Sequence, residues 1–274
     1  MPCVQRPCHP TDRFLPNLSW TEIAELPDKA NTVIVLPTGA AERHGPHRPC
    51  AVDSVIAAGV VGHALARLPD TVKAYAMSAI TCGESDEHLD FPGTVTLTGK
   101  TLVSVMTQVG ESVYRSGFRK LLIVNAHGGP PQVMEMAACE LRLRPCDFIV
   151  VPTSAWRVPH AAGRYLSERE KKLSMRAGHA ETAIMLALAP HTVHMERAVS
   201  NYPPEFPSPL LSPDGRPACA WTARDFGLSG VTGDPLPATA EQGQGQGQAI
   251  IESSAGSWAQ AITESHQLSW CPPA

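Results

Sequence analysis

"VIVLPTGAAERHGPHRPCAVDSVIAAGVVGHALARL", residues 33–68, runs from an apolar stretch through a turn crowded with ionisable groups into an apolar helix pattern. Residues 33–36 show no alternation of polar and apolar side chains, which reads as a short strand buried on both faces. The helix pattern starts at Ser54, with Asp53 or Ser54 as its N-cap and Pro69 as its stop. A strand followed by a covering helix is one unit of a parallel sheet. The turn between them is far from bland. Glu42, His44, His47 and Asp53 fall close together, stiffened by prolines, with Gly45 directly after His44.

The same alternation continues along the chain. Residues 71–80 read as a second strand, 121–124 as a third, and "DFIVVPTSAW" (147–156) as a fourth. Between them, residues 98–117 form an amphipathic helix closed by Gly117, and "PPQVMEMAACELRLR" a helix with Pro130 and Pro131 in its first turn. "LSWTEIAEL" near the N-terminus is a short helix or turn capped by Ser19. Later, "HAETAIMLALAP" is a helix stopped by Pro190, and "EQGQGQGQAIIESSAGSWAQAI" starts the C-terminal one. The Gly-Gln triplet at 243–248 weakens its first turns and has no role visible in the sequence. The expectation is one α/β domain over residues 1–274 with a mostly parallel sheet covered on both faces. A Pro-rich extension (about 1–18) precedes it, and an irregular arm with six prolines covers about 200–217.

Composition removes several function classes. The 274 residues are 43% hydrophobic and carry a net charge of −4, so no basic field exists to attract nucleic acid. No apolar run approaches the length of a membrane span, and "MPCVQRPCHP" lacks the apolar core of a signal peptide, so a cytoplasmic protein is expected. The eight cysteines are scattered without a CxxC pair and read as free, buried thiols. Cys3, Cys8 and His9 form only a weak metal-binding candidate.

Ligands of an open parallel sheet bind beyond the carboxyl ends of its strands. The first strand runs out to Glu42, His44 and Asp53; the third to Asn125, His127, Gly128 and Gly129. The second ends near "CGESDEHLDFPGT", with Ser85, Glu87 and His88, and the late helix opens with His179 and Glu181. Taken singly, a histidine after a strand is an ordinary loop residue and Asp53 an ordinary helix cap. Together, these imidazoles and carboxylates make a borderline-to-hard metal site. The paired glycines suit a close backbone approach to a ligand.

These residues also carry a family resemblance. "LPTGAAERHGPHRPCAVDS" resembles the creatininase family's Glu-x-His-Gly-Pro-His stretch with its downstream Asp, and "NAHGGP" its Asn-Gly-His-Gly-Gly-Asn turn. "ESDEHLDFPGTVTL" resembles its Ser-x-x-His-x-x-Phe-Pro-Gly-Thr segment, "AGHAETAIMLALAP" its His-Ala-Gly-x-x-Glu-Thr helix start, and "GVTGDPLPATAEQG" its C-terminal signature. The five motifs stand in family order from about residue 33 to 243. The resemblance implies a three-layer α/β/α subunit, often assembled as a hexamer, and thus a homo-oligomer. It implies a dinuclear metal-dependent hydrolase of an amide, cyclic amide or formamide in a small molecule, acting through a metal-bound hydroxide. Carried over by position, Glu42, His44, Asp53 and His127 match metal ligands, with Asp53 as the bridge, and Glu181 matches a further one. Two divalent ions (zinc, manganese or iron) roughly 3.5–4 Å apart can activate a water and polarise a carbonyl.

The chain also departs from the pattern. Arg176 replaces the family's leading histidine in the helix-start motif, and His179 follows three residues later. Gly129 stands where creatininases have an acidic ligand, and Pro130 replaces the closing Asn, so creatinine is not the expected substrate. Arginine cannot shuttle a proton at neutral pH. The catalytic residues are therefore expected to be His179, as the acid–base group, and Glu181, and Arg176 is left to grip an anionic group of the substrate. The bland alternative pairs Arg176 with Glu168 or Glu170 on the surface. His88, with Ser85, Gly128 and Gly129, is expected within the substrate pocket. Two competing readings stand beside the hydrolase: a mononuclear iron oxygen-using enzyme built on His44, Asp53 and His127, and a catalytically silent binding protein.

Overall fold

The computed structural model describes residues 11–270 apart from 130, 144–146, 205, 209 and 214–216, so Cys3, Cys8 and His9 lie outside the described residues. Four strands, β1 (Val33–Thr38), β2 (Ala74–Ala76), β3 (Lys120–Asn125) and β4 (Ile149–Ser154), pair in parallel in the order β2-β1-β3-β4. Every residue of β1 and β3 is buried, which is why their sequences lack alternation.

Successive residues of β1 serve opposite faces. Val33 and Val35 pack into a core with Ile56, Val60, Ile184, Ile250 and Trp258. Ile34 and Leu36 join Leu102, Met106, Phe118, Met134 and Leu141 on the other side. The described α-helices are α1 (Trp20–Glu25), α2 (Val52–Leu65), α3 (Gly99–Arg115), α4 (Pro131–Leu143), α5 (Glu168–Leu173), α6 (His179–Leu188) and α7 (Ala240–Gln267). Helices α2, α6 and α7 supply the first core and α3 with α4 the second, giving three α/β/α layers. Ser19 caps α1 through a full capping box and Thr98 caps α3.

Some boundaries differ from the sequence reading. The second strand pairs over three residues rather than ten, although the chain touches β1 again where Ile80 N donates to Pro37 O at 3.0 Å. Helix α2 starts earlier, with Ala51 at the N-cap, so Asp53 sits in the first turn and makes no capping bond. Its carboxylate is thereby available elsewhere. The described cysteines Cys50, Cys82, Cys139 and Cys219 are free, as expected, but not buried: Cys139 is exposed and the others half-buried. The described part of 200–217 contains no helix and no paired strand of the sheet.

The Gly-Gln triplet acquires a role. A Cβ on Gly247 would overlap the backbone carbonyl of Ala183, and one on Gly243 would meet Leu186 Cδ1 at 2.7 Å. These two glycines, one helical turn apart, let α7 lie against α6 at backbone distance. Among the described residues no helix is long and apolar enough to cross a membrane.

Candidate metal centre

Strands β1 and β3 are neighbours, yet the chain leaves β1 toward β2 on one side and β3 toward β4 on the other. A crevice opens at the carboxyl ends where strand order reverses in this way. Glu42, His44 and Asp53 arrive there from β1, and His127 from β3. Gly39 makes room: a Cβ on it would meet Ser54 N at 2.5 Å, so only glycine lets the first turn of α2 press against the end of β1. Asn125 fixes the other arrival, accepting from His127 N at 3.0 Å and donating to His127 O at 2.7 Å.

Two groups of potential ligands share one carboxylate. Glu42, Asp53 and His127 form the first, and His44, Asp53 and Glu181 the second. Asp53 divides its oxygens between them: Oδ1 lies 3.0 Å from His44 Nε2, and Oδ2 lies 3.1 Å from His127 Nδ1. Glu42 Oε2 approaches the same His127 nitrogen at 3.2 Å. The remaining ring nitrogens are oriented by backbone, His44 Nδ1 by Glu42 O at 3.1 Å and His127 Nε2 by Glu84 O at 2.7 Å. Glu42 Oε2 and His44 Nε2 are buried and have no hydrogen-bond partner. Buried polar atoms left open, on a donor set of carboxylates and imidazoles, are what an absent cation would satisfy. The residues present fit a metal.

Electrostatics agree. Burial pushes the Asp53 carboxyl up, but His44 and His127 outweigh it and hold it at about 2. Burial likewise raises Glu42, yet Arg176 and His127 bring it well below the usual carboxylate range. His127 moves the other way: burial lowers it, and Glu42 with Asp53 drives it up to about 10. Acidity perturbed this way in a crevice marks a functional site.

Three buried arginines surround the centre. Arg176 is paired with Glu42, and its Nη2 lies 3.4 Å from Glu87 Oε1. Arg48 donates to Glu181 Oε2 at 2.9 Å, and Ala177 N donates to the same oxygen at 2.7 Å. Ala177 holds a left-handed conformation (φ 61°) just before α6. Arg43 donates to Gly230 O at 2.6 Å and lies over the Phe91 ring. Arg43 and Arg48 escaped the sequence reading, although they bracket His44 and His47 in the chain.

Several expectations need correction. Arg176 borders the cavity, but its charge is already matched by Glu42 and Glu87. It does not pair with Glu168 or Glu170. Glu168 accepts from Lys171 at 2.7 Å, while buried Glu170 accepts from His179 N, Tyr202 Oη and Asp234 N. His179 does not face the centre: its Nε2 lies 2.6 Å from Gln246 Oε1 on α7. His88 is fully buried, 3.3 Å from Glu42 Oε1 and 3.4 Å from Glu87 Oε1, and Ser85 is fully buried too. Neither lines the cavity beside the centre, but His88 forms a further possible ligand group with Glu42 and Glu87.

That cavity, of about 300 Å³, is bordered by Asp53, Glu181, Arg176, Gly128, Trp156 and His160 among others. Gly129 packs under the His127 ring, where any Cβ would overlap it. His160 was missed from sequence. Its Nδ1 accepts from Ala162 N at 3.4 Å, and the ring also bonds the Trp156 backbone.

Comparison with known proteins points the same way. The creatininase family model, described as creatinine amidohydrolase, matches residues 16–262. The mycofactocin precursor peptide peptidase of Mycobacterium tuberculosis is 33% identical over 218 residues, 77% of this chain and 78% of that protein. A mutant creatininase of zinc–zinc type superposes with a TM-score of 0.76 at 26% identity, covering 92% of this chain and 98% of the other. A manganese creatininase gives a TM-score of 0.73 at 27% identity, with 93% and 98% covered.

Proposed function

This chain belongs to the creatininase family of metal-dependent amidohydrolases, and from that premise we propose that it hydrolyses a C–N bond of a small amide, lactam or formamide at a centre of two divalent ions. The observation that carries the reading is the sharing of Asp53 between two ligand groups through different oxygens. Glu42, Asp53 and His127 would hold one ion; His44, Asp53 and Glu181 the other. Such a pair supplies a nucleophile at neutral pH and a Lewis acid for the carbonyl. A mononuclear site of His44, Asp53 and His127 would leave Glu42 and Glu181 without a purpose, whereas each has a place here.

The chain's own residues bind and orient. The cavity beside Asp53 and Glu181 has room for a small amide, with Trp156 on its wall. His160, on the same wall, is the imidazole placed to meet the substrate's carbonyl. A donor fixed in a partly dry site stabilises charge that develops on that oxygen. Glu181 serves to hold an ion rather than to carry a proton, since Arg48 and Ala177 N already occupy one of its oxygens. His179 braces α6 against α7 instead of taking the acid–base role.

The test is a turnover screen of protein reconstituted with zinc, manganese or iron(II) against linear amides, lactams, formamides, short peptides and lactones. Cleavage of a C–N bond that a chelator abolishes and metal restores supports the proposal. Turnover untouched by chelation, or dependent on oxygen, refutes it.

A further inference from the structure

Each terminal carboxylate of the centre meets a buried arginine. Glu42 sends Oε2 toward His127 Nδ1, at 3.2 Å and without a hydrogen bond, while its Oε1 is paired with Arg176 and lies 3.3 Å from His88 Nε2. Glu181 receives both Arg48 Nη2 and Ala177 N on Oε2, at 2.9 and 2.7 Å, and belongs to the His44–Asp53 group. Arg48 and Arg176 are each only 6% exposed, and their guanidinium groups stay charged at neutral pH. Burying two such charges is costly unless each is matched by a partner. Here each partner is one oxygen of an ion-holding carboxylate.

We propose that Arg176 and Arg48 are positioning residues that restrict Glu42 and Glu181 to one oxygen apiece toward the metals, so that coordination positions stay open for water and substrate. This rests on the two-ion reading above. A carboxylate chelates an ion only when both of its oxygens turn to it, at about 2.0–2.2 Å for zinc. An N–H donor already seated on one oxygen opposes that rotation. Asp53 also gives one oxygen to each group. Each ion then receives three protein atoms from three residues, and an ion so held keeps a position open, as catalytic zinc does. The assignment also explains why an arginine is tolerated at position 176 in a centre that already binds cations. Its charge acts on the far oxygen of Glu42, beside Glu87, rather than on the oxygen that faces the ion.

The experiment replaces the native metals with cobalt(II), whose visible absorption strengthens as coordination number falls. Wild-type protein should take up about two cobalt ions and absorb strongly, following the two-metal logic. Arg48→Met and Arg176→Met should keep their cobalt yet lose absorbance per ion by roughly threefold, because the freed carboxylates chelate and coordination rises. Arg48→Lys and Arg176→Lys should recover most of it, since an ammonium can also seat on one oxygen. Methionine variants with full cobalt and the wild-type spectrum would overturn the inference and leave the metal centre standing. Wild-type protein that takes up no cobalt overturns both. Should the methionine variants fail to fold, infrared difference spectra of wild-type protein with and without zinc decide the matter. One-oxygen carboxylates show a wide splitting of their stretching bands on binding, and narrow, chelate-type splitting overturns the assignment.

Discussion

Asp53 Oδ2 lies 3.1 Å from His127 Nδ1, joining the first turn of α2 to the end of β3 across 74 residues of sequence. Because Oδ1 of the same carboxylate faces His44, Asp53→Ala should empty both ion positions, while His127→Ala should empty mainly one. Elemental analysis of the purified variants reads this directly. Full occupancy in Asp53→Ala would sink the assignment of Asp53 as the shared ligand.

Proton release should accompany metal binding. Without an ion, His127 between Glu42 and Asp53 titrates at about 10 and is protonated at pH 7, whereas a metal-bound imidazole is not. Calorimetry in buffers of differing ionisation enthalpy should show about one proton released from this site on loading. The sign for stability follows from linkage. A folded pKa raised above the unfolded one stabilises fully below pH ~6.5 and loses that contribution as pH climbs through the folded value. Metal-free protein should therefore melt at a lower temperature at pH 10 than at pH 7, and metal should narrow the gap. A flat melting temperature across that window counts against the His127 environment described.

Most of this layout was readable in the chain because buried runs, glycine stops and the Glu42–Asp53 turn are local signals. Long-range partners were not. Nothing near Arg176 announces Glu42, 134 residues away, so its charge was assigned to a substrate instead. His179 was misjudged by geometry: two residues of helix separate it from Glu181, a rotation of about 200°, which sends the two side chains to opposite faces. His160 sits alone in an irregular stretch, without periodicity or motif, and only folding brings it to the cavity wall.

The glycines of α7 should separate packing from propensity. Gly247→Ala pushes a methyl into the Ala183 carbonyl, a backbone atom that cannot swing aside. We expect a loss of about 2–3 kcal/mol, in the range of overpacked cores. Gly245 faces open space two residues earlier, so Gly245→Ala should gain about 0.5–1 kcal/mol from helix propensity. Denaturant unfolding of both variants checks the opposite signs; equal effects would show that α6 and α7 are not in backbone contact there.

His160 and His179 should differ in kinetics, on whichever amide proves to be turned over. His160 borders the cavity with Asp53 and Glu181, while the His179 ring is spent on Gln246. Removing one donor to a developing oxyanion costs about 10²–10³ in kcat. His160→Phe keeps an aromatic ring but no donor, so it should fall by that factor with metal content unchanged. His160→Gln, which retains an N–H, should recover part of the rate. His179→Gln can still bond Gln246 and should turn over within about threefold of wild type, its effect confined to the α6–α7 contact and of the size of one hydrogen bond. A large kinetic loss in His179→Gln with little in His160→Phe would return the catalytic role to His179 and remove His160 from the site.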